Sequence, residues 1–324
     1  MITLNKQPDS DFLILNLSDP QLASEHWLGD SPYRRILEET VTTLVERVKP
    51  GLITVSGDIS YAGDLAAYRK FADLIDSFGL PWAPVWGNHD NQDGAEAVDR
   101  AAELFLSYSY CVYEKGDPSM GNGNYVIRIA ENGTPIAACF LMDSHDRQLW
   151  VNEEGCSQEE WATLNPAQLD WLRTQTAALK AEGCNDSAII LHIPIHAYRL
   201  AVAAAFRTDA DRRAITMAES FGRDVWNAGY EDAFGVTYEP ISSYPADDGV
   251  FDLLQKLGSI RHVVCGHNHI NSTVINYQGI QLAFGLKTGI GSYFHPDMNG
   301  GTVLRVTGRG IADIWHEFVP IPRD

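Results

Sequence analysis

The 324-residue sequence predicts an α/β fold organised around parallel strands, and two patterns lead to this prediction. The first is a set of short apolar runs of the kind that form buried strands. These runs cover residues 12–17, 52–56, 82–86, 136–142, 187–191 and 260–264. The second is the presence of helical patterns between several of them. Strand–helix–strand alternation produces right-handed crossovers, which place the connected strands parallel in one sheet.

Three segments have apolar residues at helical spacing or a clear helix start. Residues 33–49 follow the first run and residues 65–78 follow the second. Residues 166–181 come after Asn165, and Pro166 suits the first helical position because its missing N–H is not needed there. These helices supply the connections that a parallel sheet requires.

The last part of the chain has a different pattern. Residues 272–285 and 301–318 predict hairpin strands joined at glycine-containing turns. Residues 206–248 are polar and lack periodicity, and loops of that length are usually functional or disordered. Because no repeat, low-complexity tract or linker interrupts the chain, we predict a single domain over residues 1–324.

Charge and composition exclude several classes of function. The 43 acidic residues outnumber the 24 basic ones, and a net charge of −19 disfavours nucleic acid or an anionic membrane as a partner. No apolar stretch is long enough to span a bilayer. Asp9 and Asp11 precede a first apolar run that is too short for a secretory signal, so we expect a cytoplasmic protein. The five scattered cysteines lack metal-site spacing and predict reduced thiols.

Residues with metal-ligand chemistry follow five of the apolar runs. They are Asp19, Asp58, the group Asn88-His89-Asp90, His192, and the group His267-Asn268-His269. In open α/β sheets ligands bind at the carboxyl ends of the strands, so these residues are expected to converge. Asp19 alone would be read as a helix cap, but caps do not explain five such positions.

Carboxylate, amide and imidazole ligands together suit cations such as Zn, Mn or Fe. Burying so many polar groups without a metal would carry a heavy desolvation cost. One tetrahedral ion needs about four ligands. The larger number here, with one carboxylate able to bridge, predicts two adjacent ions of the kind used on phosphate esters.

The motifs resemble those of the calcineurin-like metallophosphoesterase superfamily. Asp19, GD at 57–58, GNHD at 87–90, His192 and GHNH at 266–269 occur in the order of that superfamily. Residues 254–293 further resemble its purple-acid-phosphatase-like branch. The resemblance implies a four-layer α/β/β/α sandwich, in which helices flank two mixed sheets.

The first motif departs from the superfamily pattern. Most members have Asp-x-His there, whereas this chain has Gln21 at the histidine position. Purple acid phosphatases have Gly-Asp-x-x-Tyr as their second motif, and their tyrosinate binds the first metal. Residues 57–61 fit that motif and end in Tyr61. The resemblance therefore implies a phenolate ligand, which suits Fe(III), and leaves Gln21 to contact the ligands or the substrate.

The resemblance implies a ligand set for each ion, with Asp58 bridging. The first metal, Fe(III) by preference, takes Asp19, Asp58, Tyr61 and His269. The second, Fe(II), Zn or Mn, takes Asp58, Asn88, His192 and His267. A metal-bridging hydroxide would attack phosphorus. His89, paired with Asp90, would orient the substrate or act as acid or charge stabiliser at the leaving group.

The function implied is hydrolysis of phosphomonoesters, on a small phosphorylated molecule or a phosphoprotein. His196, Asn88 and Gln21 are the candidate substrate contacts, and His145 is equally compatible with the site and the surface. Two alternatives stay open. One is a phosphodiesterase, for example on cyclic nucleotides, and the other is a non-catalytic metal-binding scaffold of the same fold. The sequence leaves the oligomeric state open.

Overall fold

The computed structural model describes residues 1–61, 63–208 and 225–322. Its strands are β1 (Ile2–Lys6), β2 (Phe12–Leu17), β3 (Leu52–Ser56), β4 (Trp82–Val85), β5 (Tyr125–Glu131), β6 (Thr134–Leu141), β7 (Arg147–Val151), β8 (Ser157–Trp161), β9 (Ser187–Ile190), β10 (Ile260–Cys265), β11 (Val274–Tyr277), β12 (Ile280–Phe284), β13 (Gly300–Thr307) and β14 (Gly310–Phe318). The described helices are α1 (Pro32–Val48), α2 (Leu65–Asp76), α3 (Asn88–Asn91), α4 (Ala95–Phe105), α5 (Pro166–Ala181), α6 (Ala197–Ala205) and α7 (Val250–Leu257).

The strands form two large mixed sheets and one small hairpin. The larger sheet has the order β1-β5-β6-β9-β10-β12-β11, and the smaller has the order β14-β13-β2-β3-β4. In the smaller sheet, β2 pairs parallel with β3, and β3 pairs parallel with β4. In the larger sheet, each neighbouring pair in the series β6-β9-β10-β12 is parallel. The late hairpins are β11–β12 and β13–β14, both antiparallel. Strands β7 and β8 pair only with each other in the described sheets.

The layers follow from what each sheet face buries. Apolar side chains of both sheets share one core, which also includes the inner faces of α1, α2 and α4. The opposite face of the larger sheet is covered by α5, α6 and α7, through a second cluster that contains Leu172, Tyr198 and Leu254. Burial of this apolar area is what holds the four layers together. The predicted α/β/β/α sandwich is thus confirmed.

The predicted strands and helices are found close to their expected bounds. The run at 82–86 ends one residue earlier as a strand, and α5 has the predicted bounds. Asn165 caps α5, because its side chain accepts a hydrogen bond from the backbone N–H of Gln168. The aperiodic segment 206–248 contains no described strand or helix before α7, and its residues 209–224 lie outside the described part of the chain. None of the described helices has the length and apolar character needed to cross a membrane.

Candidate metal centre

The ligand-type residues meet at one edge of the sandwich, just beyond the carboxyl ends of β2, β3, β4, β9 and β10. Their side chains form two groups that share Asp58. We call Asp58, His192 and His267 the second cluster, and Asp19, Asp58 and His269 the first cluster. Within each cluster one ligand atom per residue lies within 4.8 Å of the others, and all five residues are buried.

Unusual backbone conformations bring these residues together. Four residues of the site have φ in the left-handed region, namely Asp19 (53°), Gln21 (45°), Asp58 (50°) and His267 (72°). Such conformations cost free energy in residues other than glycine and concentrate at functional sites. Gly87 allows the loops to approach, since a Cβ there would lie 2.2 Å from Oδ1 of Asp58. The strained turns aim the side chains at a common point.

In the second cluster, nitrogen and oxygen atoms that can bind a cation face one another. His192 Nδ1 lies 2.8 Å from the carbonyl oxygen of Ser56, which only accepts, so Nδ1 carries the hydrogen of the neutral ring. Nε2 is then a lone pair. It lies 2.9 Å from Asn88 Oδ1, 3.3 Å from Asp58 Oδ2 and 3.2 Å from His267 Nδ1. Contacts this close between such atoms are stable only with a proton or a metal ion between them.

The first cluster also contains a histidine with one ring nitrogen on a backbone carbonyl and the other facing a carboxylate. His269 Nδ1 donates to the carbonyl oxygen of Tyr293 over 2.8 Å, which leaves Nε2 as a lone pair. That lone pair lies 3.3 Å from Asp19 Oδ1. Asp19 is held in place by the backbone N–H of His267, at 3.2 and 3.1 Å from its two oxygens, and by the hydroxyl of Ser18. A histidine oriented through its other nitrogen is the usual form of a metal ligand.

The pKa values of the cluster residues indicate that this site favours positive charge beside its carboxylates. Burial would lower the pKa of His192, but Asp58, Asp19 and the Ser56 carbonyl raise it to about 9. Burial and the neighbouring His192 lower the pKa of His267 to about 3. The pKa of Asp19 is lowered despite its burial, because His269, His192 and Lys287 favour the carboxylate. At neutral pH the His192 ring therefore holds a proton unless a metal ion takes its place, and Asp19 and Asp58 stay ionised beside it. Buried carboxylates that hold a cation in this way fit a metal pair.

Asn88 and Gln21 lie beside the clusters, and the amide group of each contacts a cluster residue. Asn88 contributes Oδ1 to the second cluster, as given above. Gln21 is buried, and its Nε2 donates to Asp58 Oδ2 over 3.0 Å, while its Oε1 has no hydrogen-bond partner among the described residues. The unpartnered Oε1 is a further oxygen that a cation at Asp58 would satisfy. Gln21 therefore contacts the ligand set directly, at the position where the superfamily has histidine.

Tyr61 and His89 lie against each other beside the clusters. Both are partly buried, and their rings contact edge to face with centroids 5.3 Å apart. The backbone N–H of His89 donates to Asp58 Oδ1 over 2.8 Å, which fixes α3 to the clusters. The Nδ1 atom of His89 is buried and has no hydrogen-bond partner in the part of the chain that the structure describes. Burial and the charge of Asp58 raise the pKa of Tyr61. The structure brings both predicted residues to the site.

Asp90 makes contacts different from the predicted one. Its carboxylate accepts hydrogen bonds from the backbone N–H groups of Ile59 (3.1 Å), Ser60 (3.3 Å) and Gly87 (2.7 Å), and from the Tyr68 hydroxyl (2.6 Å). No hydrogen bond or ion pair joins it to His89 in the described contacts. The predicted His89–Asp90 pair is therefore not among the contacts of the described residues, and the part of Asp90 in catalysis stays a prediction. The Asp90 carboxylate therefore connects the loop after β3 with the loop after β4, because it is the buried acceptor for N–H groups of both loops.

His196 and His145 make contacts away from the clusters. The Nδ1 atom of His196 lies 3.1 Å from the carbonyl oxygen of Tyr244, and its backbone N–H donates to Asp248. His145 Nε2 lies 2.9 Å from Gln168 Oε1. Neither ring has a described contact with a cluster residue. His196 as a substrate contact stays a prediction.

The profile of the calcineurin-like phosphoesterase family matches residues 12–271, a range that includes both clusters. The chain belongs to this family. Its similarity to individual members is low. A probable inactive purple acid phosphatase 28 from Arabidopsis thaliana is 24% identical over 279 residues, covering 78% of this chain and 62% of the relative. A probable inactive purple acid phosphatase 14 from the same plant is 24% identical over 319 residues, covering 88% and 72%.

A solved structure with the same fold is similar to this chain. A dimetal phosphatase from Danio rerio superimposes with a TM-score of 0.54 at 14% identity, over 96% of this chain and 99% of that one. The chain spans about three fifths of the length of the first plant relative. The family and its fold are thereby established, and the reaction catalysed by this member is a separate question.

Three residues at this family site were not predicted from the sequence. Lys287 is buried, and its Nζ donates to the backbone carbonyl of Asp19 over 2.6 Å. Burial lowers the pKa of Lys287 to about 8, against the opposing effect of Asp19 and Asp58. On the β7–β8 hairpin, Trp161 lies against the His267 ring and Arg147 stacks over Trp161. No motif marks these three residues, because each reaches the site only through the tertiary fold.

Proposed function

We propose that the protein is a metal-dependent phosphatase that hydrolyses phosphomonoesters. The observation that carries the proposal is the pair of buried clusters that share Asp58, in which histidine ring nitrogens face carboxylate and amide oxygens. When bound, two adjacent metal ions would supply an activated water and neutralise charge on the phosphoryl group. Membership of the calcineurin-like phosphoesterase family supports this assignment.

The chain's own residues divide the remaining work. Asp58 is available to both ions, Asp19 and His269 would hold the first, and the second would be held by Asn88, His192 and His267. His89 is anchored beside the clusters through its backbone, and its ring packs against Tyr61. We assign it the handling of charge or of a proton at the leaving group.

Tyr61 is proposed as a ligand of the first metal. Because burial and Asp58 raise its pKa, the phenol stays protonated at neutral pH unless a cation compensates the charge. Fe(III) is the ion that most favours a hard anionic phenolate, and Fe(II), Zn or Mn would occupy the second site. The substrate would be a phosphorylated small molecule or a phosphoprotein of the cytoplasm.

A second candidate is a metal-binding scaffold without turnover. Two observations favour it. Both plant relatives carry the word inactive in their names, and Gln21 replaces the usual histidine ligand. The retained His89, whose Nδ1 has no partner among the described residues, favours catalysis instead.

The experiment combines metal analysis with substrate hydrolysis. Protein purified without added ions is analysed for metals, then loaded with Fe, Zn or Mn and assayed on p-nitrophenyl phosphate and bis(p-nitrophenyl) phosphate. We expect two ions per chain and faster cleavage of the monoester. Asp58→Asn, which keeps the shape of the shared ligand, should lose metal binding and monoester cleavage. Asp170→Asn, at an exposed position of α5, should keep metal binding and monoester cleavage. Two bound ions without turnover of any phosphoester would establish the scaffold, and faster cleavage of the diester would establish a phosphodiesterase.

A further inference from the structure

The β7–β8 hairpin borders the second cluster. Trp161, the last residue of β8, contacts the His267 ring edge to face, with the ring centroids 4.3 Å apart and the planes at 80°. The hairpin pairs with neither large sheet among the described strands, so this contact is one of the features that place it. A side chain on the same face of the hairpin therefore lies near the second cluster.

Arg147 is that side chain. It is directly opposite Trp161 in the antiparallel register of β7 and β8, so both side chains point to the same face. Its guanidinium carbon lies over the indole ring, 3.5 Å from the ring centroid. The guanidinium is consequently no farther from the His267 ring than these two distances combined.

The guanidinium has no anionic partner in the described part of the chain. Arg147 is exposed, and no hydrogen bond or ion pair with a described residue satisfies its N–H groups. The neighbouring Asp146 and Glu159 form no described ion pair with it. Burial raises the pKa of Asp146, with the charge of Arg147 acting against that shift, and Glu159 lies on the same hairpin face. In a chain of net charge −19, an arginine held by stacking instead of by a carboxylate keeps its donors free.

We propose that Arg147, positioned by Trp161, binds the phosphoryl group of the substrate and confers a preference for phosphomonoesters over phosphodiesters. The inference rests on the proposed phosphatase function. A guanidinium presents planar N–H donors that match phosphoryl oxygens, and stacking on an aromatic ring leaves those donors free. The contact supplies positive charge on the hairpin side of the second cluster.

The preference follows from the number of terminal oxygens. A phosphomonoester has three oxygens that are not esterified, and a diester has two. When two of them face the ligand clusters, the third is free for Arg147 only in the monoester. In the diester that position carries an ester group, which can accept only a weaker hydrogen bond from the arginine and has no charge of its own. Removal of Arg147 should therefore cost the monoester more.

The test uses Arg147→Met, which keeps the aliphatic length and removes the charge. Binding of inorganic phosphate to the metal-loaded protein is measured by calorimetry, and kcat/KM is measured for p-nitrophenyl phosphate and its bis ester. We expect the phosphate Kd to rise about 10- to 100-fold, the size of a lost charge-assisted contact. Monoester hydrolysis should fall by a similar factor and diester hydrolysis by less than about threefold. Metal content should not change.

Two further variants separate a specific contact from general electrostatics. Arg173→Met removes the same charge from the exposed face of α5, where Arg173 pairs with Asp170, and should leave phosphate binding unchanged. Arg147→Lys keeps the charge but not the planar donors, so it should recover part of the lost affinity. In a cycle with Trp161→Ala, the double variant should bind phosphate about as weakly as Arg147→Met alone, because Trp161 acts through the arginine.

The outcomes that overturn the inference are distinct. Unchanged phosphate affinity in Arg147→Met would show that the Arg147–Trp161 stack only stabilises the hairpin. Equal losses for monoester and diester would refute the selectivity. Failure of the proposed function appears in the wild-type protein instead, as metal-loaded enzyme that neither binds phosphate nor hydrolyses phosphoesters, and that result would overturn both.

Discussion

The side-chain amide of Gln21 donates to Oδ2 of Asp58, the carboxylate shared by both clusters, with nitrogen and oxygen 3.0 Å apart. The backbones are coupled as well, because the N–H of Gln21 donates to the Asp58 carbonyl over 3.0 Å. Both residues have left-handed φ. The residue that departs from the superfamily motif therefore orients the ligand that both metals would use.

Gln21→Leu removes the hydrogen bond to Asp58 while keeping much of the buried volume. Loss of a group that orients a metal ligand typically lowers metal affinity by about 10- to 100-fold. We expect a loss of that size, measured by competition titration with a metal-binding dye. Gln255→Leu, at an exposed position of α7, is the matched control and should bind metal with the affinity of the wild type. Wild-type affinity in Gln21→Leu would show that Gln21 does not support Asp58.

His89→Ala should retain its metals and lose turnover. The backbone N–H that holds Asp58 survives the substitution, so the clusters keep their geometry. The side chain is assigned charge or proton handling, worth roughly 10²- to 10⁴-fold. The measurement is metal content together with kcat on a phosphomonoester with a poor leaving group.

The neighbouring Asn88→Ala is the informative comparison for that experiment. It removes Oδ1 from the second cluster, so it should lose metal as well as activity. If His89→Ala also lost metal, its role would be structural. Near-normal turnover would instead exclude His89 from the reaction.

The strand ends could be predicted because two independent signals coincide there. Buried strands are continuous apolar runs, and each of the relevant runs stops at a residue with ligand chemistry. Helix α4 was missed because its buried face is mostly alanine, at positions 97, 101 and 102, which gives little hydrophobic contrast. Strand β5 was missed because Arg128 interrupts its apolar run and pairs with Glu182.

The roles of individual site residues depended more on tertiary contacts. Asp90 follows His89 in the sequence, but it serves backbone N–H groups of another loop, and sequence proximity alone could not show this. Trp161 ends β8, whose residues SQEEW have no alternating apolar pattern, so nothing in the sequence marked that hairpin as part of the site. Contacts between distant segments were the missing information.

His316 predicts a pH dependence of stability that is independent of the metal centre. It is buried in β14, accepts from the Thr302 hydroxyl at Nδ1 (3.0 Å) and donates from Nε2 to the Ser272 carbonyl (2.8 Å). Burial lowers its pKa from 6.5 to about 4, despite that carbonyl. The unfolded chain therefore binds a proton between these values and the folded protein does not.

The sign of the effect follows. The stabilisation is complete above pH 6.5 and is lost as the pH falls towards 4. By pH 5 the wild type should have lost about 2 kcal/mol of the free energy of unfolding through this residue. Urea unfolding of the wild type and His316→Gln at pH 7.5 and pH 5 measures it, because other titrating groups are common to both proteins. Equal pH dependence of the two proteins would contradict the prediction.

Tyr61→Phe tests the phenolate ligand, since it keeps the ring against His89 and removes only the donor oxygen. If Tyr61 binds Fe(III), the iron-loaded wild type should absorb visible light through phenolate-to-iron charge transfer, and the variant should not. Tyr33→Phe is the matched control. Tyr33 stacks on His26 and lies close enough to Tyr61 to raise its pKa, yet it is not proposed as a ligand, so its variant should keep the colour. Gln21→His in the Tyr61→Phe background should restore metal affinity without colour, because imidazole replaces the lost donor. Full iron occupancy and unchanged activity in Tyr61→Phe would exclude the tyrosine as a ligand, and a colourless wild type with iron bound would exclude its phenolate from the ferric site.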